Sequence, residues 1–149
     1  MSRIILFSIL AICLAMLAFD YFHGRNSQQR AFTLLKSKLP EESKPDKTTA
    51  VIVKDELVTS DDVHKLLGRD PDIAESDPRK AAMLLRDEEG EGAGSLRTDM
   101  VEIYRYTGAL RSYVVRVAYI KGANLNGAPS YVMNGLNAGT ESLFASKDR

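Results

Sequence analysis

The chain has 149 residues, with 20 Lys and Arg against 20 Asp and Glu, so its formal net charge is zero. That length accommodates one ordinary domain with accessory segments, and the charge balance supplies no global basic field to draw nucleic acid. Cys13 is the single cysteine, which excludes an internal disulfide and a cysteine metal site.

Ile4 to Phe19 is an apolar run interrupted by Ser8 alone, and Tyr21 and Phe22 extend it. As a helix at ~1.5 Å per residue, Ile4 to Phe22 reaches roughly 28 Å, close to the thickness of a bilayer core. Arg3 before it and Tyr21–Phe22 after it suit the interface. A cleaved secretory signal requires a small-x-small site after the run; "FDYFHGR" has none, which favours an uncleaved single-pass anchor. Cys13 sits mid-run with bulky Ile12 before it, so no lipidation site is expected. Arg25, Arg30, Lys36 and Lys38 follow the run and Arg3 precedes it, which by the positive-inside rule keeps the rest in the cytoplasm. A short basic start before an apolar run is also how exported proteins begin, so the side stays open on these residues.

Asn26 to Leu39 has helical spacing (Phe32, Leu35, Leu39) and stops at Pro40. "PEESKPDKTT", 40–49, is polar and proline-punctuated and reads as a spacer. The sequence therefore divides into an anchor or signal segment, 1–22; a juxtamembrane helix and linker, 23–49; a domain, 50–136; and a flexible tail, 137–149. "AVIVKDEL" is a short β-branched lead-in. In "TSDDVHKLLGRDP", Thr59 or Ser60 caps a helix, and Asp61 and Asp62 favour its positive end. Val63, Leu66 and Leu67 form its apolar face, Gly68 suits a left-handed stop and Pro71 blocks resumption. A helix this short needs packing to persist, so it is expected to close on a core. A second helix begins at Asp77–Pro78 and carries Ala81 to Leu85. "RDEEGEGAGS", 86–95, is expected to be a mobile loop.

The remainder reads as sheet. "MVEIYRYT" and "LRSYVVRVAYIK" are β-branched and aromatic, separated by Gly108–Ala109 as in a hairpin, and "SYVMNGL" supplies a third strand. Alternation puts Tyr104 with Tyr106 on one face, and Tyr113, Val115, Val117 and Tyr119 on one face. The fold expected is α+β: an N-terminal transmembrane helix, then two short helices packed on a three-stranded antiparallel sheet.

The residue types that carry chemistry are sparse. His64 is the one histidine of the domain, His23 lies at the anchor's edge, and neither has a second ligand nearby for zinc. The same scarcity argues against a Ser-His triad. "DPDIAESD", 70–77, lacks the glycine and terminal glutamate of a calcium loop. "GEGAGS", 90–95, lacks the Gly-Lys-Ser/Thr of a phosphate loop and is flanked by acids. Charge is unevenly placed: acids crowd 55–77, while Arg105, Arg111, Arg116 and Lys121 lie in the sheet segments. The simplest account is mutual attraction between two parts of one domain.

The order of elements and several residues resemble the BamE/SmpA-like family of small bacterial envelope domains. "SDDVHKLLGRDP" supplies Val63, Leu67, Gly68 and Pro71 of that family's short helix; "IYRYTG" supplies Tyr104 and Tyr106; "VVRVAY" supplies Val115, Val117 and Tyr119. The match covers about 55–134. The chain departs from the family pattern by the extra residue Asp70, by the second helix with its acidic loop, and by its missing lipidation motif. The resemblance implies a non-enzymatic adaptor that acts by protein–protein contact outside the cytoplasm, with no cofactor and no metal. The expected partners are the membrane, through Ile4 to Phe19, and another envelope protein; nucleic acid is not expected. The residues expected to bind the partner are Tyr104, Tyr106, Arg116 and Tyr119, in a sheet with helices on one face and the other open, because tyrosine contributes large rigid contact area and a hydroxyl. The competing reading is a small enzyme or enzyme subunit with its site between the sheet and the acidic loop.

Overall fold

The computed structural model describes residues 2–39, 57–86, 91–94, 98–123 and 129–142. It is an α+β fold in which an antiparallel sheet carries helices on both faces. The helices are α1 (Ser2–Phe19), α2 (Asn26–Lys36), α3 (Ser60–Leu67) and α4 (Pro78–Arg86). The strands are β1 (Ile73–Glu75), β2 (Glu91–Gly94), β3 (Met100–Thr107), β4 (Arg111–Ala123) and β5 (Pro129–Ser142), in the order β1-β3-β4-β5-β2.

The apolar run folds as α1 and does not stop there. A six-residue π-helical stretch, Asp20–Arg25, joins it to α2 with helical backbone angles at both junctions (Phe19 φ −61°, ψ −46°; Asn26 φ −66°, ψ −38°). One unbroken helix thus runs from Ser2 to Lys36, and its first part is long and apolar enough to cross a membrane by length and composition. Along its later part Asp20, Gly24, Gln28, Ala31, Phe32 and Leu35 are buried. Their spacing forms one helical stripe. Ala31, Phe32 and Leu35 enter the main core. The segment expected to be a juxtamembrane helix is therefore part of the domain rather than a connector to it, and the domain's core starts well before residue 50. The spacer 40–49 and the lead-in up to Glu56 lie outside the described residues.

α3 starts and stops as its sequence predicts, with Thr59 as the cap. Its hydroxyl accepts from the Asp62 amide while Asp62 reaches back to the Thr59 amide, and Gly68 ends the helix in the left-handed region at φ 65°, ψ 21°. Val63 is fully buried and Leu67 packs against the core, but Leu66 is largely exposed. The helix is stitched to β5 by the Met133 amide, which donates to the Val58 carbonyl at 2.8 Å. In α4, Asp77 accepts from the Arg79 amide at 2.9 Å, the expected cap.

The three expected strands form the centre of the sheet as β3, β4 and β5, and two short edge strands make five. β1 arises from "IAE" within the acidic stretch 70–77, which carries no strand signal of its own. β2 arises from the segment expected to be a loop, where Glu91–Gly94 pairs with β5. The expected flexible tail is instead strand from 137 to 142, because β5 continues to Ser142; 143–149 lie outside the described residues. In the β3–β4 register Met100 faces Tyr119, Tyr104 faces Val115 and Tyr106 faces Tyr113, so all four tyrosines share one face. That face holds the main core beneath α2 and α3. On the opposite face Ala81 and Leu85 of α4 pack on Val101 and Ala118. The expected arrangement, with both helices after the linker on one face and the other face bare, is thus corrected.

Candidate functional site

Period-two alternation sends Met100, Glu102, Tyr104 and Tyr106 to the same side of β3. This plants a carboxylate among core side chains. Glu102 is 3% exposed, and an unpaired buried charge is costly. Three donors meet it. The Tyr104 and Tyr119 hydroxyls donate to Oε2 at 2.8 Å and 2.5 Å, and His64 Nε2 lies 2.9 Å from Oε1. With the proton on Nε2, His64 donates to that oxygen. His64 is held there because α3 places it next to Val63, at the rim of the same core. Burial, then the Glu102 charge, pushes both tyrosine hydroxyls far above their ordinary range, so they remain protonated donors. Both oxygens of Glu102 are thus engaged. The arrangement pins α3 to the sheet.

On the opposite face Glu141 receives two arginines: Arg105 Nε at 2.8 Å and Arg116 Nη2 at 3.1 Å. The pairs roof the part of the sheet beyond α4, where Val114 is fully buried between them. At the β1 end Arg69 donates to Asp72 at 2.7 Å and to the Arg105 carbonyl at 3.0 Å, and its guanidinium sits 5.4 Å from the centre of the Tyr106 ring.

These placements correct the expected partner-binding set. Tyr104 and Tyr119 are fully buried, Arg116 is 4% exposed and tied to Glu141, and Tyr106 is half-covered beneath Arg69. For the tyrosines the physical reason is that α2 and α3 occupy their face; Arg116 lies on the opposite face, where Glu141 takes it up. Among the described residues no group of three or more His, Cys, Asp or Glu is placed to hold a metal.

The continuous helix makes a third site. Asp20, directly after the apolar run, is 7% exposed. Its Oδ1 accepts from the Leu110 amide at 2.9 Å and its Oδ2 from the Tyr113 hydroxyl at 2.5 Å, so the β3–β4 hairpin is clamped to the point where the helix leaves that run. Two glycines make the approach feasible. A Cβ on Gly24 would collide with the Tyr113 ring, and one on Gly108 with the Asp20 carboxylate. One turn on, Gln28 Nε2 donates to the carbonyls of Val114 and Gly139 at 2.8 and 2.6 Å. Beside these contacts a groove of about 660 Å³ opens between α2 and strands β4 and β5, with Arg25, Lys36, Arg111 and Thr140 on its walls.

Glu102, Asp20 and Gln28 were not singled out from the sequence, although each carries a signal. Glu102 interrupts an inward-facing row, and Asp20, Gly24 and Gln28 continue the helical stripe of Ala31 and Leu35. Among known proteins no family model, no curated protein and no solved structure matches the chain.

Proposed function

We propose that the chain is a single-pass membrane protein whose α+β domain acts by contact with another envelope protein and catalyses no reaction. The observation that carries this reading is the continuous helix: its first eighteen residues form an apolar rod that the domain leaves exposed, and its last eleven belong to the core. A domain built around its own anchor sits at a fixed height and angle on the bilayer, which restricts the search for a partner in the same membrane and raises effective concentration. The polar groups fit a structural role, since buried Glu102 and Asp20 and half-buried Glu141 are all engaged by donors from other elements. The resemblance of α3, β3 and β4 to BamE/SmpA-like domains points to the same class of function and to the outer side of the cytoplasmic membrane.

Photoreactive side chains placed singly at the exposed positions Leu57, Leu66, Met83 and Thr107 of the full chain test this in native membranes. A discrete adduct from one surface and not the others, with binding reproduced by the purified partner, is the expected result. Adducts only between copies of the chain, or turnover of a small molecule by the purified chain, would overturn it. Protease access in intact and opened cells assigns the side.

A further inference from the structure

We infer that the groove between α2 and the β4–β5 strands holds the phosphate-bearing headgroup of an anionic lipid from the leaflet the helix enters; this rests on the membrane-anchor reading above. Height is the first argument. Arg25 lies six residues past Phe19, at most about 9 Å further along the axis, since the π-helical stretch rises less than the ~1.5 Å per residue of an α-helix, while the headgroup layer is roughly 5–7 Å deep on each side of the hydrocarbon. An arginine side chain is long enough to reach back across that difference. The second cation comes from the far end of the domain in sequence: the Leu110 amide is bonded to Asp20 at 2.9 Å, so the hairpin tip and the adjoining Arg111 stand beside the first residue after the apolar run. Leu110, 44% exposed, is an apolar side chain at that same level.

Charge is the second argument. Among the described residues Arg25, Lys36 and Arg111 line the groove and no carboxylate does. Of the described acids close by, Asp20 is engaged by Tyr113 and Leu110, and Glu141, which borders Arg111 and Thr140 in an adjoining hollow, is engaged by Arg105 and Arg116. Gln29, Thr33 and Thr140 add polar groups along the walls, and a planar guanidinium pairs with phosphate oxygens in a bidentate manner. Each base near an anionic membrane surface strengthens attraction to that surface about fivefold.

The chain has no tryptophan, so Leu110→Trp creates a single fluorescent reporter at the hairpin tip. In nanodiscs, tail-brominated lipids with anionic or zwitterionic headgroups at equal mole fraction are compared as quenchers. Several-fold stronger quenching by the anionic probe is expected, falling to equality in the reporter that also carries Arg25→Gln and Arg111→Gln, and recovering with Arg25→Lys and Arg111→Lys. Both arginines are exposed, so the glutamine variants should keep the wild-type melting transition. Equal quenching by both probes in the parent reporter would overturn the inference. So would loss of the preference to inorganic phosphate at constant ionic strength, which would make the ligand a free anion, or to a soluble glutamate-rich peptide, which would make it a protein segment. Failure of the chain to resist alkaline extraction from membranes would instead strike the anchor reading itself.

Discussion

The Asp20 carboxylate accepts the Tyr113 hydroxyl at 2.5 Å across 93 positions of sequence. The bond joins the exit of the apolar helix to the start of β4 in the β3–β4 hairpin. It converts what reads as a tether into a rigid mount, because the hairpin cannot leave the helix without exposing a buried carboxylate and freeing the Leu110 amide. Tyr113→Phe should cost about 1–3 kcal/mol, the usual penalty for stripping a buried acceptor of one donor. Asp20→Ala should cost at least as much. A double-mutant cycle on thermal unfolding in detergent should return a coupling well above zero; an additive pair would mean that the bond does not hold in solution.

Gly24→Ala should destabilise for a different reason. The new methyl group enters space filled by the Tyr113 ring, and overpacking of this kind costs about 1–3 kcal/mol. Tyr113→Leu should relieve the clash, so the double variant should melt above the sum expected from the single ones. Gly68→Ala is the contrast: its Cβ meets nothing within 4 Å, and its penalty of about 1 kcal/mol comes from the φ of 65° at the helix stop.

The Glu102 cluster predicts alkaline sensitivity. Burial and the Glu102 charge raise Tyr104 and Tyr119 from an ordinary value of 10.0. Above that value the unfolded chain releases phenolic protons that the folded chain retains, so folding stability is full below about pH 10 and falls as pH rises beyond it, by about 1.4 kcal/mol per pH unit for each tyrosine. Chemical denaturation between pH 9 and 11.5 should show this slope, and Tyr119→Phe should flatten it.

Glu102→Ala leaves three donors, Tyr104, Tyr119 and His64, without their acceptor. A loss of about 2–5 kcal/mol is expected, with α3 amides losing hydrogen-exchange protection before those of β4. Glu102→Gln keeps an acceptor and should cost less. If exchange in α3 is unchanged in Glu102→Ala, the cluster does not pin the helix.

Thr59→Ala removes the α3 cap and should cost about 1 kcal/mol. The Thr59 hydroxyl and amide also hold the Asp62 carboxyl below its ordinary 3.8. That contribution is present above pH 4 and lost as pH falls through the lowered value, so the gap between wild type and Thr59→Ala should narrow in acid. Denaturant titrations at pH 7 and pH 3 read both effects.

The places where the sequence misleads share a cause. Tyr104, Tyr119 and Arg116 look like a contact surface because alternation assigns side chains to a face without saying what covers that face. The helix that covers the tyrosine face comes from α2, which its own residues describe only as a moderately amphipathic segment beside a polar linker. "IAE" and "EGAG" carry too little β-branched character to announce strands. They become strands because β3 and β5 leave open edges that need partners.

Local rules were enough to locate an apolar N-terminal helix, α3 with its cap and stop, the Asp77 cap of α4 and the three central strands with their shared tyrosine face, because capping, periodicity and turn chemistry act over a few residues. The docking of α2 into the core, the burial of Asp20 and Glu102, the two edge strands and the basic groove arose only on folding. Each depends on groups far apart in the chain, and the cost of burying a carboxylate is met only when Tyr113, or Tyr119 and His64, arrive to donate to it.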